Sequence, residues 1–133
     1  MSDEGKITGG CLCGAVRYES TNQPHKIGYC HCRMCQRASG APVTVGVYFH
    51  VDTFRFVQGK PKYYQSSATV ERGFCDKCGS RLIYRILGSD SISVEVGSLD
   101  HPAATPPGYH IGIESQISWF EIDDELPRTR IDE

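Results

Sequence analysis

The chain has 133 residues, 39% of them apolar, a share that suits one folded domain and excludes disorder along its whole length. Fourteen Lys and Arg against sixteen Asp and Glu leave a net charge of -2, without the concentrated basic face that a nucleic-acid binder uses. No apolar run approaches the ~18–20 residues of a membrane helix, and the start MSDEGKI lacks the basic-then-apolar pattern of a secretory leader, so a cytoplasmic protein is expected.

In chain order, short runs of period-two alternation dominate. The first expected strand covers residues 15–20. A short helix follows over Arg33–Ser39, ended by Gly40 and Pro42. Val43, Val45, Val47 and Phe49 then alternate with Thr44, Gly46 and Tyr48, and Phe54 and Phe56 with Thr53 and Arg55. Residues 63–65 and 69–74 read as strands, as do the runs around Leu82, Tyr84 and Ile86 and around Ile92, Val94 and Val96. Pro102, Pro106 and Pro107 make residues 101–107 a loop. Further strands are expected over 109–113 and 117–122, and the acidic run 123–125 reads as a solvated face. The pattern predicts a mainly β single domain over residues 1–133, with a core spanning about 7–127 and a tail at 128–133.

Seven cysteines are an odd number, and in a reducing compartment they point to metal or thiol chemistry rather than to disulfides. They fall into three tight groups: Cys11 and Cys13; Cys30, Cys32 and Cys35; Cys75 and Cys78. Two sulfurs on one tight turn can occupy adjacent corners of a tetrahedral zinc site, and no run matches the ferredoxin spacings of an iron–sulfur cluster. Seven ligands divide as four plus three: a closed structural site and an open one. Spacing alone allows two partitions. Cys32/Cys35 can join Cys75/Cys78 in a ribbon, or Cys11/Cys13 can join Cys75/Cys78 and leave Cys30, Cys32 and Cys35 as a local trio. Gly14 and Gly79 follow the second Cys of their pairs, where a left-handed turn can aim N–H groups at sulfur; Cys35 is followed by Gln36. The glycines favour the second partition.

The runs GGCLCGAVR from Gly9 to Arg17, CHCRMCQ from Cys30 to Gln36 and RGFCDKCG from Arg72 to Gly79 resemble the glutathione-dependent formaldehyde-activating enzyme family, also called the GFA or centromere-protein-V-like domain. The likeness extends over Gly9 to Pro127 and takes in His110-Ile111, Trp119 and the Leu126-Pro127 ending. It implies a complex fold of several coiled antiparallel β-sheets with two zinc ions per chain. By the family's pattern, Cys11, Cys13, Cys75 and Cys78 hold a structural zinc, and Cys30, Cys32 and Cys35 a catalytic one. The activity it implies adds the thiol of glutathione to formaldehyde, giving S-hydroxymethylglutathione, and in reverse is that of a carbon–sulfur lyase.

The residues are compatible with that chemistry. A three-thiolate zinc keeps a corner that a substrate thiol can fill as thiolate. Glutathione carries two carboxylates, and Arg33 and Arg37 beside the trio are the expected contacts, against the plainer reading of solvated arginines on a short helix. His31 is expected to pack or support a ligand rather than bind metal, and Trp119 to lie in the core or a pocket wall. The expected partner is a small thiol, with no nucleic acid and no membrane. Fold transfers between relatives better than substrate does, so the alternatives are a zinc-stabilised protein-binding module without catalysis and, more remotely, a thiol redox sensor.

Overall fold

Alternating runs become strands where one face of the pleat reaches a shared core. The computed structural model describes residues 5–131. Its strands are β1 (Ile7–Gly10), β2 (Arg17–Ser20), β3 (Lys26–Cys30), β4 (Thr44–His50), β5 (Phe54–Gln58), β6 (Lys62–Gln65), β7 (Val70–Phe74), β8 (Arg81–Ile86), β9 (Ser91–Glu95), β10 (His110–Ile111) and β11 (Arg128–Thr129); the α-helix is α1 (Arg33–Ser39). Three strands form a small sheet in the order β1-β2-β5, and eight form a larger one in the order β11-β10-β3-β4-β9-β8-β7-β6. Among the described residues no helix is long and apolar enough to cross a membrane.

Register sorts the large sheet into two faces. Ile27 lies opposite Val47, Val47 opposite Val94, and Val94 opposite Ile83; Phe49 pairs with Ile92 on the same face. Val47, Val94, Ile83, Phe49 and Ile92 are buried and pack with Tyr18, Leu82 and Leu99 in the core, each contributing about 1.5–3 kcal/mol of hydrophobic burial. The other face carries Gly28, Gly46 and Glu95 in one cross-strand row and Tyr48, Ser93, Tyr84 and Arg72 in the next. That second face forms the floor of a cavity.

Several expectations change. Strands β1 and β3 escape the alternation reading because glycine stands where a side chain would show the period (Gly9 and Gly10 in ITGG, Gly28 in KIGYC). Residues 117–122 form no strand: a turn bonds Phe120 N–H to the Ile117 carbonyl, and the Gln116 side chain donates to the Phe120 carbonyl. The stretch expected as a tail supplies β11 instead. β10 pairs in parallel with both β3 and β11, so the antiparallel pattern stops at this edge. The long connection into β10 permits that where a hairpin would not.

The seven residues of α1 are too few to stand alone. Cys32 is its N-cap, Gly40 closes it with φ 73°, and the buried Gln36 side chain donates to the His31 and Ser115 carbonyls. The helix is therefore held at both ends and from below, and the turn bearing Cys30, Cys32 and Cys35 is held with it.

Candidate metal centres and the adjoining cavity

Cys11 and Cys13 lie on the turn between β1 and β2, and Cys75 and Cys78 on the turn between β7 and β8. The two hairpins belong to different sheets, yet their four sulfurs lie within 4.8 Å of one another. Cys11 Sγ is 3.7 Å from Cys13 Sγ, which is 3.8 Å from Cys75 Sγ. A zinc tetrahedron with Zn–S of ~2.3 Å has sulfur–sulfur edges of about 3.8 Å, so the spacing fits such an ion. Gly14 and Gly79 have φ of 83° and 80°, the left-handed turn the sequence suggested. Their N–H groups bond the Cys11 and Cys75 carbonyls, however; the donors to sulfur are Val16 N–H to Cys11 at 3.2 Å and Lys77 N–H to Cys75 at 3.4 Å. Ser80 ties the hairpins together, accepting from Leu12 N–H and lying 3.2 Å from Cys78 Sγ. Its hydroxyl, then its N–H, brings the Cys78 thiol down to about 5.

Cys30 ends β3, Cys32 caps α1 and Cys35 lies inside it, so strand, turn and helix each give one sulfur. These three sulfurs also lie within 4.8 Å of one another. Hydrogen bonds from Cys30 and Cys35 draw the Cys32 thiol far down, while its bonds with Cys32 and Cys35 push Cys30 up. Arg72, buried on β7, turns its guanidinium onto the trio, with Nη1 and Nη2 at 3.7 and 3.8 Å from Cys35 Sγ. Four sulfurs make a closed set of donors, whereas three leave one tetrahedral corner.

The trio opens on a cavity of about 330 Å³ whose walls include Arg72, Glu95, Tyr48, Tyr84 and Tyr109. Gly28 makes room for it: a Cβ there would collide with the Tyr109 ring. Burial pushes the Glu95 carboxyl up, while Arg81, 3.5 Å away, works in the opposite direction. A second groove of about 420 Å³ shares Met34 and Arg72 with the first and adds Arg37, Tyr64 and Arg81.

The arginines beside the trio part company. Arg33 lines the first cavity and donates to Gln36 Oε1 at 2.6 Å; Arg37 lies on the groove. His31 is not among the converging ligand atoms. It is fully buried, with Nε2 2.8 Å from His110 Nδ1, and His110 Nε2 lies 3.0 Å from Asp124 Oδ2. Asp124 accepts, so His110 donates through Nε2 and receives from His31 at Nδ1. Asp124 also accepts from Arg128, so the middle of the acidic run faces inward rather than forming a solvated surface. Trp119 is 74% exposed, not in the core or a cavity wall.

Sequence reasoning passed over Arg72, Glu95, Arg81 and the tyrosine walls as site residues. Arg72 stood in a quoted motif three places before Cys75, but its facing Cys35 follows from strand pairing and from nothing local.

The family model for the glutathione-dependent formaldehyde-activating enzyme matches residues 6–115, a span that holds all seven cysteines, Arg72 and Glu95. The chain is 29% identical over 76 residues to an uncharacterized lyase of Schizosaccharomyces pombe, an alignment covering 57% of this chain and 55% of that one; the chain thus spans about half the length of this curated relative. A crystal structure of a Rhodobacter sphaeroides protein shares the fold, with a TM-score of 0.56 and 23% identity over 92% of this chain and 99% of that one. With its cysteine hairpins, helix-borne trio and matched span taken together, the chain belongs to the glutathione-dependent formaldehyde-activating enzyme family.

Proposed function

We propose that this protein is a zinc-dependent carbon–sulfur lyase-like enzyme acting on the adduct of a small thiol, such as glutathione, with an aldehyde such as formaldehyde. Cys11, Cys13, Cys75 and Cys78 would hold a structural zinc ion, and Cys30, Cys32 and Cys35 a second. The single observation that carries the reading is the trio of sulfurs set in the wall of a cavity of about 330 Å³, where a closed structural site would need neither the cavity nor a vacant corner. When bound, the zinc ion stabilises a thiolate at that corner.

The rest falls to the protein's own side chains. In the lyase direction the C–S bond of R–S–CH2–OH breaks, its electron pair stays on sulfur, and the hydroxyl proton leaves as C=O forms. Glu95, the carboxyl on the cavity wall, takes that proton; the addition runs the same steps backwards. Tyr48, Tyr84 and Tyr109 shield the reacting atoms from water. Arg37 in the adjoining groove suits a carboxylate of a peptide thiol whose sulfur lies at the trio, and Arg81, 3.5 Å from Glu95, adds positive charge beside it. Arg33, already bonded to Gln36, is the lesser contact.

The test is the rate at which glutathione and ¹³C-formaldehyde form their adduct, followed by ¹³C NMR against the uncatalysed rate. Fully zinc-loaded protein should raise the rate, and Cys35→Ser should abolish the increase. Calorimetry should show glutathione binding with proton release, while its S-methyl form binds poorly. No rate increase together with equal binding of both forms would remove the reading in favour of a zinc-stabilised protein-binding module.

A further inference from the structure

Arg72 is only 6% exposed. Its Nε donates to Ser66 Oγ at 3.0 Å, its Cζ lies over the Tyr84 ring 5.1 Å from the centroid, and both Nη atoms face Cys35 Sγ. Among the described residues it forms no ion pair with a carboxylate. Glu95, on the same cavity, is paired with Arg81. A cation so deeply buried is costly unless a negative charge sits beside it, and the group beside this one is the cysteine trio.

We infer that Arg72 is the charge-compensating residue of the three-cysteine centre, there to let its metal accept a fourth ligand that is anionic. Three thiolates around a divalent ion leave one net negative charge, and an incoming thiolate would add another inside a wall of tyrosines. The guanidinium offsets the first charge and so lowers the electrostatic cost of the second. The four-cysteine centre shows the contrast. Its sulfurs receive backbone N–H groups from Val16 and Lys77, Cys13 is exposed to solvent, and among the described residues no arginine hydrogen-bonds to a sulfur there, nearby Arg17 being bonded to Asp100. That centre has no corner to fill, so it has no further anion to accommodate. Arginine rather than lysine fits the position, because two N–H groups reach one sulfur while a third is anchored on Ser66 and the cation lies over the Tyr84 ring. The inference rests on the proposed function only in naming that fourth ligand a thiolate.

The experiment is a Co²⁺ titration of the full chain, wild type against Arg72→Met, Arg72→Gln and Arg72→Lys, read from the cobalt–thiolate charge-transfer and d–d bands. The four-cysteine spectrum reports folding in each variant. Wild type should take two Co²⁺. Arg72→Met and Arg72→Gln should fill the four-cysteine centre normally and bind at the trio about ten-fold or more weakly, the low end of what an opposite charge within ~4–6 Å exerts. Arg72→Lys should recover part of that loss and carries the comparison should a neutral variant not fold. Glutathione should perturb the trio's bands in wild type and lose affinity by a similar factor in the neutral variants, whereas neutral imidazole should be little affected. Unchanged affinities for both cobalt and thiol in a folded neutral variant would overturn the role of Arg72. A wild-type chain that takes no thiol, while cobalt affinity still falls in the variants, would overturn the proposed function and leave Arg72 as the trio's counter-charge.

Discussion

Removing the β7–β8 half of the four-cysteine centre should unfasten the two sheets from each other. The double substitution Cys75→Ser with Cys78→Ser leaves Cys11 and Cys13 with no partners across the gap. Cys13 and Cys75 are 62 positions apart, so a bound ion closes a long loop. Treated as a cross-link, that closure alone is worth about 4 kcal/mol, against a net stability of ~5–15 kcal/mol for a typical domain. For a chain of this length it corresponds to a fall in Tm of roughly 15 °C. The zinc–sulfur bonds raise the loss further, because structural zinc contributes about 10–16 kcal/mol of apparent binding energy. The matched control is Cys32→Ser with Cys35→Ser, which removes two ligands of the trio. Serine is a preferred N-cap, so at position 32 it can still accept the Cys35 position's N–H and the helix keeps its cap. Freshly purified wild type should contain two zinc ions by elemental analysis and the control one; the control should stay folded, losing only the smaller stability that buried Arg72 draws from the trio. The Cys75/Cys78 variant should be unfolded or melt at least about 15 °C lower by circular dichroism. A wild-type melt in that variant beside an unfolded control would refute the division of labour between the two centres.

Gly28→Ala should cost about 1–3 kcal/mol through overpacking against Tyr109, seen as a lower Tm with both metals retained; an unchanged melt would mean the ring is free to move. The paired N–H groups of Arg17, at 3.0 and 2.6 Å, hold the Asp100 carboxyl at about 2. A depressed carboxylate stabilises the fold above its unfolded value near 3.8 and loses that effect as pH falls from about 4 through 2. Asp100→Asn should therefore lose about 1 kcal/mol at pH 7, after discounting for exposure, and approach wild type in denaturant titrations near pH 2; a gap that widens in acid would contradict the sign. His110→Phe strands the His31 Nε2–H and should cost about 1–3 kcal/mol in chemical denaturation. It should not change the Co²⁺ spectrum of the trio, and a changed spectrum would show that the histidine pair holds the cysteine turn in place.

The amino-acid sequence by itself determined the mainly β class, the helix and the division of the cysteines. Period two marks half-buried strands, Gly40 and Pro42 stop α1, and a glycine after each of two Cys pairs allows the left-handed turn that both adopt. These are signals carried within a few residues of the chain. Short strands rich in glycine, β1 and β3, carry no such signal; β10 keeps two residues of the strand expected over 109–113, and β11, in the expected tail, is a strand because it finds β10 as a neighbour. The apolar alternation at residues 117–122 points the other way: local propensity was there, but among the described residues no neighbouring edge pairs with it. Register alone brought Arg72 across to Cys35 and set Glu95 and Tyr84 on the same face as Tyr48, since side-chain direction along a pleat depends on pairing. The joining of two hairpins from different sheets at one four-sulfur cluster, and the exposure of Trp119, were likewise decided by tertiary structure. Local chemistry names the ligands; only the packed sheet says what surrounds them, because charge and burial around a sulfur come from residues far away in the chain.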